Sequence, residues 1–294
     1  MASGVSKGII LAGGSGTRMH PATLAVCKQL LPIYDKPLVY YPLTTLIQCG
    51  ITEILLISTP EDTPRFRELF GDGSQLGLRF EYCVQPRPEG IAQAFILGAD
   101  FIGSDSVALI LGDNIFYGDH DFVSEARDFG EGGLIFAYQV QNPQRYGVVE
   151  FDGGGRPLTI IEKPTVPKSS YAVTGLYFYD AGVVAMAREL KPSRRGELEI
   201  ADINQAYLDE KKLRVVRLDK GFTWLDTGTH ESMLEASNFI ATIEKRRGCK
   251  IACVEEAVFR KGLIDRRQLR RLIKPMTNNA YRRYLEGVAE ESDG

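Results

Sequence analysis

The chain has 294 residues, 44% hydrophobic and 25% charged, enough to bury a core as one large α/β unit or two smaller domains. That composition excludes a disordered chain or a disulfide miniprotein, and a formal charge of −3 excludes a whole-surface field for nucleic acid. The charge is uneven, because residues 244–294 carry 13 Lys and Arg against 8 Asp and Glu, a net +5 that leaves −8 for residues 1–243.

Taken in order, Lys7–Ala12 is a short apolar run that ends in glycines and reads as a strand. Pro37–Cys49 reads as a helix that Gly50 can end in a left-handed conformation. Glu53–Ser58 is a strand and Glu61–Phe70 a helix. Arg79–Val84 is a strand, Gly90–Phe101 a helix and Val107–Leu111 a strand. This alternation, with strands apolar on both faces, implies a parallel sheet covered by helices on each side. Gly147–Phe151 and Leu158–Glu162 flank the turn Asp152-Gly153-Gly154-Gly155 and predict a β-hairpin. Val173–Tyr179, Leu213–Leu218 and Phe222–Leu225 read as strands and Gly196–Glu210 as a helix, so the middle is expected to extend the same sheet. Thr229 caps a helix whose apolar residues run from Met233 to Ile243 and which Lys245-Arg246-Arg247-Gly248 closes. Beyond it lies a basic helical tail, with Ile264, Leu269, Leu272 and Ile273 opposite Arg266, Arg267, Arg270 and Arg271. Its apolar stripe favours a docked amphipathic helix over a nucleic-acid arm.

The apolar runs fall far short of the ~20 residues a membrane span needs, and the first residues lack a signal peptide's apolar stretch. Cys27, Cys49, Cys83, Cys249 and Cys253 are odd in number without CxxC spacing, which fits reduced thiols in a cytoplasm. His20, His120 and His230 lack metal-ligand spacing, so no Zn site is expected.

The chemistry-bearing segments follow strands. Gly13-Gly14-Ser15-Gly16-Thr17-Arg18 leaves a strand's carboxyl end as a turn whose backbone N–H groups can approach a phosphate. It matches neither the Walker A loop nor the dinucleotide fingerprint, and an ordinary tight turn is the alternative. Arg18 and Lys28 can neutralise that phosphate or stand as a solvated pair. Asp113 and Asp226 each close an apolar run at the sheet's carboxyl edge. They can share one Mg²⁺, or serve only as caps and turn formers.

From Lys7 to about Glu256 the chain resembles the sugar-nucleotide pyrophosphorylases, and within them the bacterial glucose-1-phosphate thymidylyltransferases. The resemblance rests on Lys7–Arg18, Cys27–Pro32, Val84–Gln93, Leu111–Asn114, Arg145–Glu150, Glu162-Lys163-Pro164, Val173-Thr174-Gly175 and Trp224–Thr229. It implies a Rossmann-like nucleotidyltransferase with a mostly parallel central sheet flanked by helices, a β-hairpin insertion and C-terminal helices. Residues 1–229 would form the core and 230–294 a helical segment packed on it. The implied reaction joins dTTP and glucose 1-phosphate to give dTDP-glucose and pyrophosphate with Mg²⁺, a step toward dTDP-rhamnose. By this resemblance Gly13, Gly14, Gly16 and Thr17 hold the nucleotide, Arg18 and Lys28 its phosphates, and Gln85 and Gly90 its base. Asp113 and Asp226 hold the metal and Lys163 the sugar phosphate. Tyr146, Gly147, Glu162, Val173 and Gly175 line the hexose site, with Arg195 near the phosphates.

Cys27 stands where many relatives carry Ser, and Ala201 where they often carry Thr. The family implies a homotetramer with feedback by dTDP-rhamnose, here resting on Glu255, Glu256 and Arg260, although Val254, Lys261 and Gly262 depart from the pattern. A UTP-using or other sugar-1-phosphate nucleotidyltransferase is the alternative, because uracil and thymine offer the same hydrogen-bonding edge. A non-catalytic nucleotide-sugar sensor should lack a metal carboxylate or a phosphate cation, whereas Arg18, Lys28, Asp113, Lys163 and Asp226 are all present.

Overall fold

The computed structural model describes residues 4–14, 16–118 and 122–291; Ser15 of the glycine turn and His120 lie outside the described residues. Lys7–Ala12 pairs in parallel with Glu53–Ser58 on one side and Val107–Leu111 on the other, and Glu53–Ser58 pairs in parallel with Arg79–Val84. The strand interiors are apolar because both faces are covered. Ile10, Leu56 and Ile110 pack with the helices Tyr40–Gln48 and Thr63–Phe70, whereas Ile9, Leu55 and Leu109 pack with Gln93–Leu97 and Ile200–Asp209.

Beyond Val107–Leu111 the sheet changes direction, with Tyr171–Tyr179 joining it antiparallel and Gly133–Gln139 antiparallel to that. Leu213–Arg217 then pairs in parallel with Gly133–Gln139. The hairpin Gly147–Phe151 and Pro157–Glu162 forms as expected and joins the sheet through Tyr171 and Ala172. The result is a mixed α/β fold whose central, mostly parallel sheet is flanked by helices.

Several expectations change. The helices expected over Pro37–Cys49 and Glu61–Phe70 start later, at Tyr40 and Thr63, with Pro37 in a short strand with Lys36. The segment Gly90–Phe101 forms two short helices, Gln93–Leu97 and Ala99–Ile102, because Gly98 breaks the first. A side chain at Gly98 would sit 3.1 Å from both Ile9 and Leu55 of the sheet, so the missing Cβ lets the chain pass close over the sheet here. The strand Thr223–Asp226 does not extend the main sheet. It pairs antiparallel with Asn114–Tyr117 in a separate two-stranded ladder that sets Asp226 opposite Asn114.

Thr229 caps the helix His230–Arg247 through a capping box with Ser232, and Gly248 ends it at φ 67°. The tail docks as its apolar stripe predicts. Val258, Ile264, Leu269, Ile273, Leu285 and Val288 enter the same core as Leu43, Ile47 and Phe70. A buried charge cluster ties distant segments: Lys36 Nζ lies 3.0 Å from Glu244 Oε1, Lys250 2.7 Å from Glu244 Oε2, and both lysines pair with Asp35. All five cysteines are free, and burial pushes the Cys27 thiol up to about 12. Among the described residues no helix is long and apolar enough to cross a membrane.

Candidate active site

The carboxyl ends of the parallel strands open into two adjoining cavities, at the edge where α/β sheets bind ligands. The first, about 310 Å³, is lined by Gly14, Gly16, Thr17, Arg18, Lys28, Gln85, Gly90 and Asp113. The second, about 610 Å³, is lined by Tyr146, Gly147, Glu162, Lys163, Val173, Gly175, Arg195 and Asp226. Arg18, Ile91, Leu111, Asp113 and Glu197 border both, so the two form one continuous trough.

In the first cavity, Gly16 takes φ 59° and starts the short helical turn Thr17–Met19 that presents Arg18 to solvent. Gly13 lies behind this surface. A side chain there would meet Gln85 Oε1 at 2.0 Å, so the missing Cβ gives Gln85 its place. Gln85 Nε2 donates to Gln93 Oε1 at 2.7 Å, while Gln93 Nε2 donates to Glu89 Oε2, which fixes the orientation of the Gln85 amide. Gly90, at φ 109°, lies so close to the Leu198 backbone that a Cβ would approach its carbonyl oxygen to 2.4 Å.

At the junction, Lys28 Nζ donates to Asp113 Oδ2, and both side chains are largely shielded from water. Burial works against the charge of Asp113, but the Lys28 ammonium and the Asn114 amide overcome it and hold the carboxyl below the usual range. Asp226 behaves oppositely. Burial and the neighbouring Asp113 charge push it up to about 6, against the cations Lys28, Arg145 and Arg18. Thr227 locks the two loops together, its N–H and hydroxyl donating to the Asp113 carbonyl at 3.2 and 2.8 Å.

In the second cavity, Lys163 Nζ lies 3.3 Å and Arg195 Nη1 3.6 Å from Glu162 Oε1, and Arg195 also pairs with Glu197 and Glu199. Burial raises the Glu162 carboxyl, with Lys163 and Arg195 opposing. Lys163 adopts φ 41°, and its N–H donates to the Tyr146 carbonyl at 3.0 Å.

The trough thus gathers every residue expected in it except Gly13, which acts from behind. Glu255, Glu256 and Arg260 lie apart, tied to the C-terminal helix Ala280–Glu290 and the residue after it. Tyr281 donates to Glu255 and Tyr284 to Glu256, while Arg260 pairs with Glu291. Three contributors carried no assigned role. Asn114 Oδ1 accepts from Gly175 N at 3.0 Å and Trp224 Nε1 at 2.6 Å, clasping strands from three parts of the chain. Trp224 itself lines the second cavity, and Arg145 Nη2 lies 3.9 Å from Asp226 Oδ2. All three fall inside the family motifs, which was the one signal available for them.

The chain matches the family model "Nucleotidyl transferase" over residues 7–243. It is 56% identical to a glucose-1-phosphate thymidylyltransferase of Mycolicibacterium smegmatis over 280 residues, covering 95% of this chain and 97% of that one. It is 53% identical to the enzyme of that name from Neisseria meningitidis, covering 95% and 98%. A crystal structure from Bacillus anthracis, assigned as a glucose-1-phosphate thymidylyltransferase and holding a sucrose, superposes with a TM-score of 0.74 at 43% identity. It covers 79% of this chain and 94% of the other. A UDP-glucose pyrophosphorylase bound to UDP-glucose shares the fold at a TM-score of 0.70 and 24% identity, covering 82% and 100%.

Proposed function

This chain belongs to the nucleotidyl transferase family, and from that premise we propose that it joins dTTP to α-D-glucose 1-phosphate, giving dTDP-glucose and pyrophosphate. The reading rests above all on the shared wall of the two cavities. A nucleotide in one and a sugar phosphate in the other would meet at Arg18 and Asp113. The sugar phosphate is already a nucleophile, since a phosphate monoester with a second pKa near ~6 is mostly dianionic at neutral pH. No general base is required. One of its oxygens attacks the α-phosphorus in line, the bond to the β-phosphate oxygen breaks, and pyrophosphate leaves with the electron pair.

The chain's task is therefore alignment and charge compensation. Gly14, Gly16 and Thr17 cradle the triphosphate, Arg18 and Lys28 draw its charge, and Gln85, held by Gln93, reads the base. Lys163 and Arg195 take the sugar phosphate. Tyr146, Gly147, Glu162, Val173 and Gly175 surround the hexose. Asp113 and Asp226 suit a hard cation, because they are adjacent buried carboxylates whose mutual repulsion a divalent ion relieves. Mg²⁺ held there would screen charge on the leaving pyrophosphate.

The test is pyrophosphate release from a panel of nucleoside triphosphates and sugar 1-phosphates, with Mg²⁺ and with EDTA. The highest kcat/KM is expected for dTTP with glucose 1-phosphate. Activity that persists in EDTA contradicts the metal role, and a preference for UTP reassigns the base.

We also read the chain as a cytoplasmic homotetramer, with 230–294 as a packing segment, that is subject to feedback by dTDP-rhamnose. A third cavity of about 520 Å³ supports the feedback. Tyr41, Thr44, Tyr117, Arg247, Lys250 and Ala252 help line it, and it ends where the segment Ala252–Arg260 begins. Thr44 Oγ1 and Tyr117 Oη are buried there without a hydrogen-bond partner among the described residues. An initial rate unchanged by saturating dTDP-rhamnose rejects this part, and light scattering checks the assembly.

A further inference from the structure

The turn Pro143–Arg145 opens on a buried proline, and the Tyr146 N–H closes it by donating to the Pro143 carbonyl at 3.0 Å. The Tyr146 carbonyl in turn accepts from the Lys163 N–H at 3.0 Å, so the backbone that carries Arg145 is tied to the backbone that carries Lys163. The Arg145 guanidinium lies over the Tyr146 ring, 5.5 Å from its centroid, and that ring packs against Trp224 at 5.1 Å. An aromatic face attracts the cation while leaving its N–H donors free for other partners.

Those side-chain donors have no acceptor among the described residues. Arg145 Nη2 stands 3.9 Å from Asp226 Oδ2, beyond hydrogen-bond reach, and an ion pair of that length on a side chain 44% exposed contributes little. Arg145 borders the second cavity beside Lys163, Arg195 and Asp226 but not the first, so a ligand in the second cavity can reach it. The other two cations are engaged. Arg195 donates to Glu197 and Glu199 at 2.9–3.4 Å, and Lys163 pairs with Glu162. A phosphate must compete with those carboxylates for them, whereas Arg145 can turn to it without giving up a hydrogen bond.

We propose that Arg145 binds the phosphate of the sugar 1-phosphate, turning from Asp226 to donate two parallel N–H bonds to its oxygens. This deepens, and rests on, the reading of the second cavity as a sugar 1-phosphate site. The dianion enters a trough that already holds the Asp113, Asp226, Glu162 and Glu197 carboxylates. An uncommitted guanidinium offsets that repulsion, and its fork matches two phosphate oxygens where a lysine ammonium offers only a point charge.

The experiment compares wild type, Arg145→Gln and Arg145→Lys for kcat, for the KM of glucose 1-phosphate and of dTTP, for the Mg²⁺ concentration at half-maximal rate, and for thermal unfolding. Arg145→Gln should raise the KM of glucose 1-phosphate by roughly 10- to 100-fold, the loss of charge-assisted hydrogen bonds to one phosphate. The KM of dTTP and the Tm should stay at the wild-type values, because the side chain is half-exposed and borders only the second cavity. Arg145→Lys keeps the charge without the fork and should recover part of the loss. A KM of glucose 1-phosphate unchanged in Arg145→Gln, with only the Mg²⁺ requirement altered, overturns the proposal and leaves Arg145 as a counter-charge to Asp226. Equal rises in both KM values with a lowered Tm also overturn it, because they assign the residue to the turn. A wild type inactive with every sugar phosphate instead overturns the functional reading beneath it.

Discussion

Two neighbouring carboxylates that both feel the Lys28 charge are shifted in opposite directions, and this gives the metal-free protein a recognisable pH signature. Asp226 has a folded pKa of about 6 against an ordinary 3.8, so protonation favours the folded state. Its contribution to stability is complete below about pH 4 and is lost as pH rises through 6. Asp113 is held below the usual range, so its contribution is present above that range and is lost as pH falls through its folded value. Asp226→Asn removes the first effect. With EDTA present, the variant should lose less thermal stability than wild type between pH 5 and 7.5, while turnover with Mg²⁺ falls sharply. Parallel Tm profiles would show that the carboxylate does not carry the shift. Gly175 supplies a second prediction at this scale. A Cβ there would lie 2.5 Å from Asn114 Oδ1, so Gly175→Ala should cost about 1–3 kcal/mol in denaturant melts and lower kcat/KM. Asp113 and Asp226 were legible because each follows an apolar run at a strand end. The threefold role of Asn114 was not, since its partners Gly175 and Trp224 are 61 and 110 residues away and leave no local pattern.

Among the elements, those with local punctuation are legible in the sequence and those defined by distant partners are not. The helix after Thr229 forms over His230–Arg247 because cap, apolar spacing and terminal glycine all lie within it. Thr229→Ala breaks the capping box and should cost about 1 kcal/mol of stability, largely restored by Thr229→Ser, as thermal unfolding would show. The same cap follows Asp226-Thr227-Gly228 directly, so fraying of the helix start should also raise the KM for metal. By contrast, the sequence predicts one helix over Gly196–Glu210, whereas the helix begins only at Ile200. Gly196 takes φ 75°, and the residues between them turn Glu197 toward the trough. Apolar periodicity cannot register such a bend, because a loop that packs on a cavity carries the same mixed composition as a helix end.

Across the whole molecule, the +5 segment is a packing surface whose apolar side completes the core under Tyr40–Gln48 and Thr63–Phe70. Its attachment depends partly on the buried cluster of Lys36, Asp35, Glu244 and Lys250, since Glu244 Oε1 also accepts from Ile251 N at 2.9 Å. Glu244→Ala leaves Lys36, only 2% exposed in its side chain, to share the single carboxylate of Asp35 with Lys250, so one buried positive charge goes uncompensated. This should cost about 3–5 kcal/mol in chemical denaturation. A change below 1 kcal/mol would mean that the cluster relaxes into water.

The ladder between Asn114–Tyr117 and Thr223–Asp226 has a bearing on how the enzyme comes into being. Asp113 and Asp226 become neighbours through this pairing and the Thr227 bonds to the Asp113 carbonyl beside it, which together close a loop of more than a hundred residues. During synthesis the turn that carries Gly14, Gly16 and Thr17 can assemble long before the second carboxylate has emerged. In refolding, the return of the metal binding proposed for this pair should therefore lag behind the return of the parallel strands, reporting the moment at which the two ends of the site find each other.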